Sequence, residues 1–359
     1  ISFFQTSLIY GRNTFFSVAL PLARPGIIAG LALVLMETVS DFGTVEYFAL
    51  ETLTLGVFNV WLGMNSLSGA SQISSVLFVF VVVLLTIEYL ARRNQRFHEK
   101  SSGQNMVESK SSSRLHKIIC FLICLTPIVI GFVIPVSVLL NFIFSGFSII
   151  DFKQIFYTSF FSITLAFTGA FFVMLVSIFL ILISNYKSNN LQKSIIFLAS
   201  CGYALPGTIL AVGMVIFLGW INEYLHFHLS YFAGGFIVLI FAYIVRFLAV
   251  GNASIRSGIL KIHPNAMDAS LTMGAGFFRG VKIVIMPLIL SNILIGGILV
   301  FVDILKELPI TLLLRPFNFE TLATYVYQYA SDELLQESSF AALIIVVVGL
   351  GPIIFLNSA

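Results

Sequence analysis

Eight stretches of the chain, roughly 25–45, 73–91, 117–143, 160–184, 194–219, 232–251, 284–304 and 338–357, each carry about 20 mostly apolar residues, the length a helix needs to cross the hydrocarbon core of a bilayer. Within that core a segment must satisfy its own backbone N–H and C=O groups, so such runs fold as helices. The composition agrees, with 58% hydrophobic and 10% charged residues, against roughly 45–50% and about 25% in soluble domains. The expected fold class is all-α, a polytopic bundle of membrane helices, and its first partner is membrane lipid. The net charge of +3 comes from basic residues scattered over flanking loops. They form no basic face, so no nucleic-acid partner is expected.

Between the second and third stretches lies ARRNQRFHEKSSGQNMVESKSSSRLHK, from Ala91 to Lys117. It is rich in Ser, Lys and Arg without apolar periodicity, and reads as a solvated, flexible linker over 92–116. Placing it in the cytoplasm and alternating the spans puts sixteen of the nineteen Lys and Arg residues inside, leaving Lys153, Lys306 and Arg315 outside. That asymmetry fixes the orientation by the positive-inside rule. The loops after Asp41 and after Asp303 then face outward.

Two halves follow from an internal repeat. LPLARPGIIAGLALVLMETVSDFGT (Leu20 to Thr44) returns as MPLILSNILIGGILVFVDILKELPIT (Met286 to Thr311), 266 residues later. Aligning Pro21 with Pro287 sets Glu37 on Asp303 and Asp41 on Glu307. Each copy reads as a proline-led apolar helix with two carboxylates four residues apart on one face. Carboxylates inside a membrane span are costly, so the same pair at the same place twice points to duplicated transport machinery. Residues 117–359 form a six-span repeat and residues 1–91 carry the last two spans of another. The expectation is a truncated first copy, with about four spans upstream by analogy within the chain.

The cytoplasmic segment before the seventh span, HPNAMDASLTMGAGFFRGVKIVIMPL (His263 to Leu288), carries a spaced motif. Asp268, Ala269 and Ser270 are followed after three residues by Gly274, then after nine by Val284, then by Met286-Pro287. The spacing resembles the EAA loop of ABC-importer permeases, with Asp for Glu, Ser for Ala, Val for Ile and Met for Leu. Physically, Pro264 can open a short helix over 264–273 and Gly274 can end it, leaving an exposed helix able to enter a groove on a partner. The first copy is poorer. Gly11 stands nine residues before Leu20-Pro21, three fewer than in the second copy.

Further segments sharpen the resemblance. Val300 to Glu333, Leu35 to Met64 and Tyr203 to Met214 look like the two-domain permeases of ferric-iron ABC importers. The resemblance implies an inner-membrane pore subunit fed by a periplasmic binding protein and driven by a separate cytoplasmic ATPase, a dimer, which docks at Asp268, Ala269, Ser270, Gly274 and Pro287, and at Gly11 and Pro21. From their place along the helices, Glu37, Asp41, Asp303 and Glu307 are expected to line the central path. Glu37 lies about 18 Å along its helix from Pro25 at 1.5 Å per residue, from mid-membrane to the outer leaflet. The same carboxylates are open to two other readings, direct ligation of Fe³⁺ by hard oxygens and a structural role that includes pairing with Lys306.

The chain has no GxxxxGK[ST] phosphate loop, so it is not an enzyme by this reading. It binds no cofactor itself, and ATP is used by its partner. Pro206 and Gly207 interrupt the fifth span and are expected to kink it as a gate or packing site. Glu223, His226 and His228 read as a solvated loop, and no metal site is assigned. Arg246 is expected to snorkel to the cytoplasmic headgroups, and Cys120, Cys124 and Cys201 to be buried small residues. Competing functions are permeation of thiamine, sulfate or polyamine, which the shared fold allows, and proton-coupled secondary transport through the acidic pairs.

Overall fold

The computed structural model describes residue 16 and residues 20–93, 114–146, 151–186, 190–225, 235–263 and 265–358. Among these the regular structure is helical throughout, with no strand. Seven helices are long and apolar enough to cross a membrane. The all-α reading holds, with two of the eight expected spans altered.

Among the described residues the first half holds α1 (Leu20–Ser40), followed by two short helices, α2 (Gly43–Tyr47) and α3 (Leu53–Phe58), and the long α4 (Leu67–Arg93). The expected span 25–45 therefore stops at Ser40, because the backbone leaves the helix at Asp41 and Phe42. Thr54, buried in α3, donates its hydroxyl to the Val39 carbonyl at 2.7 Å and ties the returning chain to the end of α1. α4 runs to Arg93 and the next helix starts at Arg114, so both ends of the expected linker are helical. Residues 94–113 lie outside the described residues.

The second half opens with α5 (Arg114–Ile128), which passes through one π-helical turn into α6 (Ile134–Gly146). Then come α7 (Phe152–Tyr186), α8 (Asn190–Ser200), α9 (Gly207–Leu225) and α10 (Phe236–Ile259). α11 (Ala266–Thr272) and α12 (Phe277–Gly280) precede α13 (Met286–Leu305), α14 (Pro309–Leu314), α15 (Leu322–Ser331) and α16 (Leu335–Ser358). The expected fifth span 194–219 is two helices, since a 3-10 turn at Cys201–Ala204 separates α8 from α9. Pro206, which offers no N–H, and Gly207 stand at this break and start α9; they do not kink a continuous helix.

The core is the trio α7, α10 and α13. It buries Val173, Leu239, Tyr243, Ile289 and Val300 almost completely. Close approach of α10 to α13 depends on Gly258, where a Cβ would come within 2.9 Å of the Asn292 side chain. Ser254 seals the same contact by donating to the Asn292 carbonyl at 2.6 Å. Helices in lipid associate in this way, by small residues and interhelical hydrogen bonds, since lipid tails are as apolar as leucine. The halves join where α4 and α3 meet α9, burying Val57, Ala70 and Val212, and where α2 meets α15. At the latter contact burial and a hydrogen bond to Glu46 push the Tyr327 phenol above its usual pKa.

α5 and α6 lie outside this core, with Phe121, Ile123 and Phe144 exposed. Cys120 and Cys124 are exposed on the same segment, which corrects the expectation that they are buried; Cys201 is half-buried. A thiol is apolar enough to face lipid, so hydropathy alone did not separate the two environments.

Candidate functional site

The four repeated carboxylates meet. Glu37, Asp41, Asp303 and Glu307 all line one cavity of about 510 Å³, together with Tyr203, Arg246 and Lys306. Its walls come from both halves: the end of α1 and start of α2 on one side, the end of α13 and start of α14 on the other.

The repeat is visible in the backbone. α1 ends at Ser40 and α2 starts at Gly43; α13 ends at Leu305 and α14 starts at Pro309. In the alignment of Pro21 with Pro287, Gly43 falls on Pro309, so both short helices restart at the same place. Each carboxylate pair was expected on one helix face, and this needs correction. Glu37 and Asp303 lie on their helices, but Asp41 and Glu307 fall in the breaks that follow. Pro309, whose missing N–H costs nothing at a first helical position, opens α14, and Gly43 opens α2.

These displaced carboxylates hold the restarts. Asp41 Oδ1 accepts from the Thr44 backbone N–H at 3.3 Å, and Glu307 Oε1 from that of Ile310 at 3.2 Å. In each half the acceptor sits three residues before the donor, satisfying an N–H that the first helical turn leaves free. Glu307 is buried, at 6% exposure, and Arg246 Nε stands 3.5 Å from its Oε2. Thr311 donates to the Glu307 carbonyl at 2.7 Å and shares a 2.6 Å hydrogen bond with the buried Tyr243 hydroxyl, fixing α14 against α10.

The first carboxylate of each pair has a different partner. Tyr203 donates its hydroxyl to Glu37 Oε1 at 2.7 Å, a bond between the two halves. Lys306 Nζ lies 3.1 Å from Asp303 Oδ1, with the lysine more than half exposed.

Arg246 was expected at the headgroups, and the structure corrects this. It lies ten residues into α10, about 15 Å from the helix start at 1.5 Å per residue, and is 7% exposed. Glu307 supplies a counter-charge at that depth, so the side chain need not climb to water. Gly207 makes room for the pair. A Cβ there would stand 2.6 Å from Arg246 Nη1 and 2.8 Å from Glu307 Oε1. Sequence reasoning missed Arg246 and Tyr203 as cavity residues, although an arginine inside an apolar span was itself a signal.

At the opposite end, α11 carries Asp268 and Ala269 exposed and Ser270 buried. Gly274 follows with φ +83°. Its N–H donates to Leu271 O at 3.0 Å, and that of Ala275 to Ser270 O at 3.1 Å. This is the Schellman pattern that glycine permits. Leu271, Met273 and Phe278 are exposed around it. The helix starts at Ala266, later than expected, and Pro264 and Gly11 lie outside the described residues. Pro287 stands in the first turn of α13, and Pro21 in that of α1. His226 and His228 also lie outside the described residues.

No family model matches the chain. It is 23% identical over 363 residues to the Fe(3+)-transport system permease protein FbpB 2 of Haemophilus influenzae, an alignment covering 98% of this chain and 70% of that one. The chain is a homologue of that permease. The likeness expected from the outward segments and the EAA-type loop is thus met by a relative of that kind. The chain's likeness to a permease and its seven membrane-length helices together make it a multi-pass membrane protein.

Proposed function

We propose that this chain is the pore-forming permease subunit of an ATP-driven importer of ferric iron in a bacterial inner membrane. The observation that carries the reading is the cavity itself. Four carboxylates from equivalent positions of two halves converge on a space of about 510 Å³ at the C-terminal ends of α1 and α13, in a chain homologous to a ferric-iron transport permease. A periplasmic binding protein delivers cargo to this end. A cytoplasmic ATPase dimer engages α11 and its exposed neighbours Leu271, Met273 and Phe278, as an amphipathic helix enters a groove. The chain itself binds no nucleotide. The charged clusters of the cavity join both halves, so a push at α11, transmitted through α13, changes how the halves meet there.

The test is ATP-dependent uptake of radioactive ferric iron by the chain reconstituted with its ATPase and binding protein. Uptake that requires ATP and survives an uncoupler supports the reading. Uptake abolished by uncoupler without ATP dependence identifies a proton-coupled carrier.

A further inference from the structure

α1 and α13 occupy equivalent places in the repeat, yet they are packed differently. With Pro21 set on Pro287, the positions Ala23, Ile27, Gly30, Val34 and Thr38 fall on Ile289, Ile293, Gly296, Val300 and Ile304. Steps of three and four residues place each set along one helix face. On α13 that face is a seam of the core. Ile289, Val300 and Ile304 are buried in it, and a Cβ on Gly296 would stand 2.7 Å from Ser254 of α10 and 3.0 Å from Met174 of α7. On α1 the same face is bare among the described residues. All five of its positions are exposed, Val34 at 62% where Val300 is at 0%. A Cβ on Gly26 or Gly30 would meet nothing within 4 Å. α1 holds to the molecule by its other face, where Met36 is buried with Val81 of α4 and Ala204.

The occupant of such a face can be read from its equivalent. On α13 it is the pair α7 and α10. A second copy of the chain has no spare pair to offer, because its own α7 and α10 already hold its α13. Lipid tails gain nothing from the close backbone approach that Gly26 and Gly30, one turn apart, permit, whereas helices do. The match to the Haemophilus influenzae permease covers 70% of that protein and leaves 30% of its length outside, room for further spans at about 20 residues each. We infer that the bare face of α1 is a docking seam for two apolar membrane helices of the first repeat, the counterparts of α7 and α10, carried outside residues 1–359. The seam ends at the cavity, which Thr38 lines. The docked pair therefore walls the cavity beside α1, as α10 walls it elsewhere through Arg246 and Phe247.

Photo-crosslinking from the seam tests this, with the protein in the membranes of the cell that makes it. p-Benzoylphenylalanine is placed at Val34, an exposed site with room for the larger ring, and captured peptides are sequenced by mass spectrometry. The expected product is a peptide from an apolar helix that is not part of residues 1–359. Capture of lipid alone, of a peptide from within this chain, or of a soluble protein overturns the inference. A second measurement needs no cross-link and compares Gly30→Leu with Gly296→Leu. The latter drives a side chain into Ser254 and Met174 and is expected to cut the yield of intact protein from detergent by about tenfold. Gly30→Leu meets nothing in the described chain, and leucine favours the helix over glycine, so α1 by itself gives no reason for a loss. A loss of the same order is expected where the seam is covered; a wild-type yield overturns the inference. Neither readout involves cargo, so a failure of iron import leaves the seam standing and a failure of the seam leaves iron import standing.

Discussion

Arg246 Nε lies 3.5 Å from Glu307 Oε2, and both side chains are more than nine-tenths buried. The arginine belongs to the middle of α10 and the glutamate to the break between α13 and α14, so one ion pair fixes the joint that the repeat places at the cavity. Removing one partner of a buried pair strands the other charge, which costs more than the pair itself contributes. Arg246→Gln is expected to destabilise the purified protein by about 3–5 kcal/mol, read as a lower thermal midpoint in detergent. The double variant with Glu307→Gln should recover most of that loss, and a double variant as unstable as the single one would contradict the pairing.

Gly207 is the neighbour that lets the pair form. Any Cβ there lies within 2.8 Å of both charged groups, and neither can retreat cheaply from the other. Gly207→Ala is expected to cost about 1–3 kcal/mol through overpacking and to depress uptake. An alanine variant with an unchanged melting midpoint would show that the pair has room to move.

The Tyr203 hydroxyl is the hydrogen bond joining Glu37 of one half to the other. Tyr203→Phe keeps the ring and removes the donor, on an exposed carboxylate that water can solvate in its place. The expected stability loss is therefore small, about 1 kcal/mol, while uptake falls because the contact between halves at the cavity is lost. Unchanged uptake would assign Tyr203 a packing role.

Asp303 keeps Lys306 within 3.1 Å. Charge reversal by Asp303→Lys places three cations around the cavity, and uptake is expected to fall by at least about tenfold, equivalent to 1.4 kcal/mol. Full transport by this variant would remove the carboxylates from the pathway.

Gly274 holds φ +83° at the end of α11. Gly274→Val forces a β-branched residue into the left-handed region, at about 1–2 kcal/mol. The cost falls on a short surface element, so global melting should barely change while the coupling of ATP hydrolysis to transport is lost. The check is the ratio of ATP hydrolysed to iron moved; an unchanged ratio would argue against α11 as the coupling element.

Much of the site was legible before any coordinates. The repeat aligned Glu37 with Asp303 and Asp41 with Glu307, and all four line one cavity. The turn-forming role of Gly274 was likewise readable, since only glycine adopts φ +83° cheaply. The helix breaks were harder to place. The apolar run continues through Cys201 to Gly207, and apolar character reports the solvent and not the backbone path. Arg246 misled for a related reason. An arginine in an apolar run signals either a climb to the headgroups or a buried counter-charge, and Glu307, sixty-one residues away, decides which.

By itself the sequence determined what local chemistry determines: helical spans, because lipid satisfies no backbone group, and the repeated carboxylate positions, from paired motifs. Tertiary structure alone decided which donor meets which carboxylate, that Asp41 and Glu307 leave their helices to hold the next ones, and that Gly207 serves an ion pair rather than a kink. Those outcomes rest on distances between segments far apart in the chain, set by how α7, α10 and α13 pack, and no local pattern of residues encodes them.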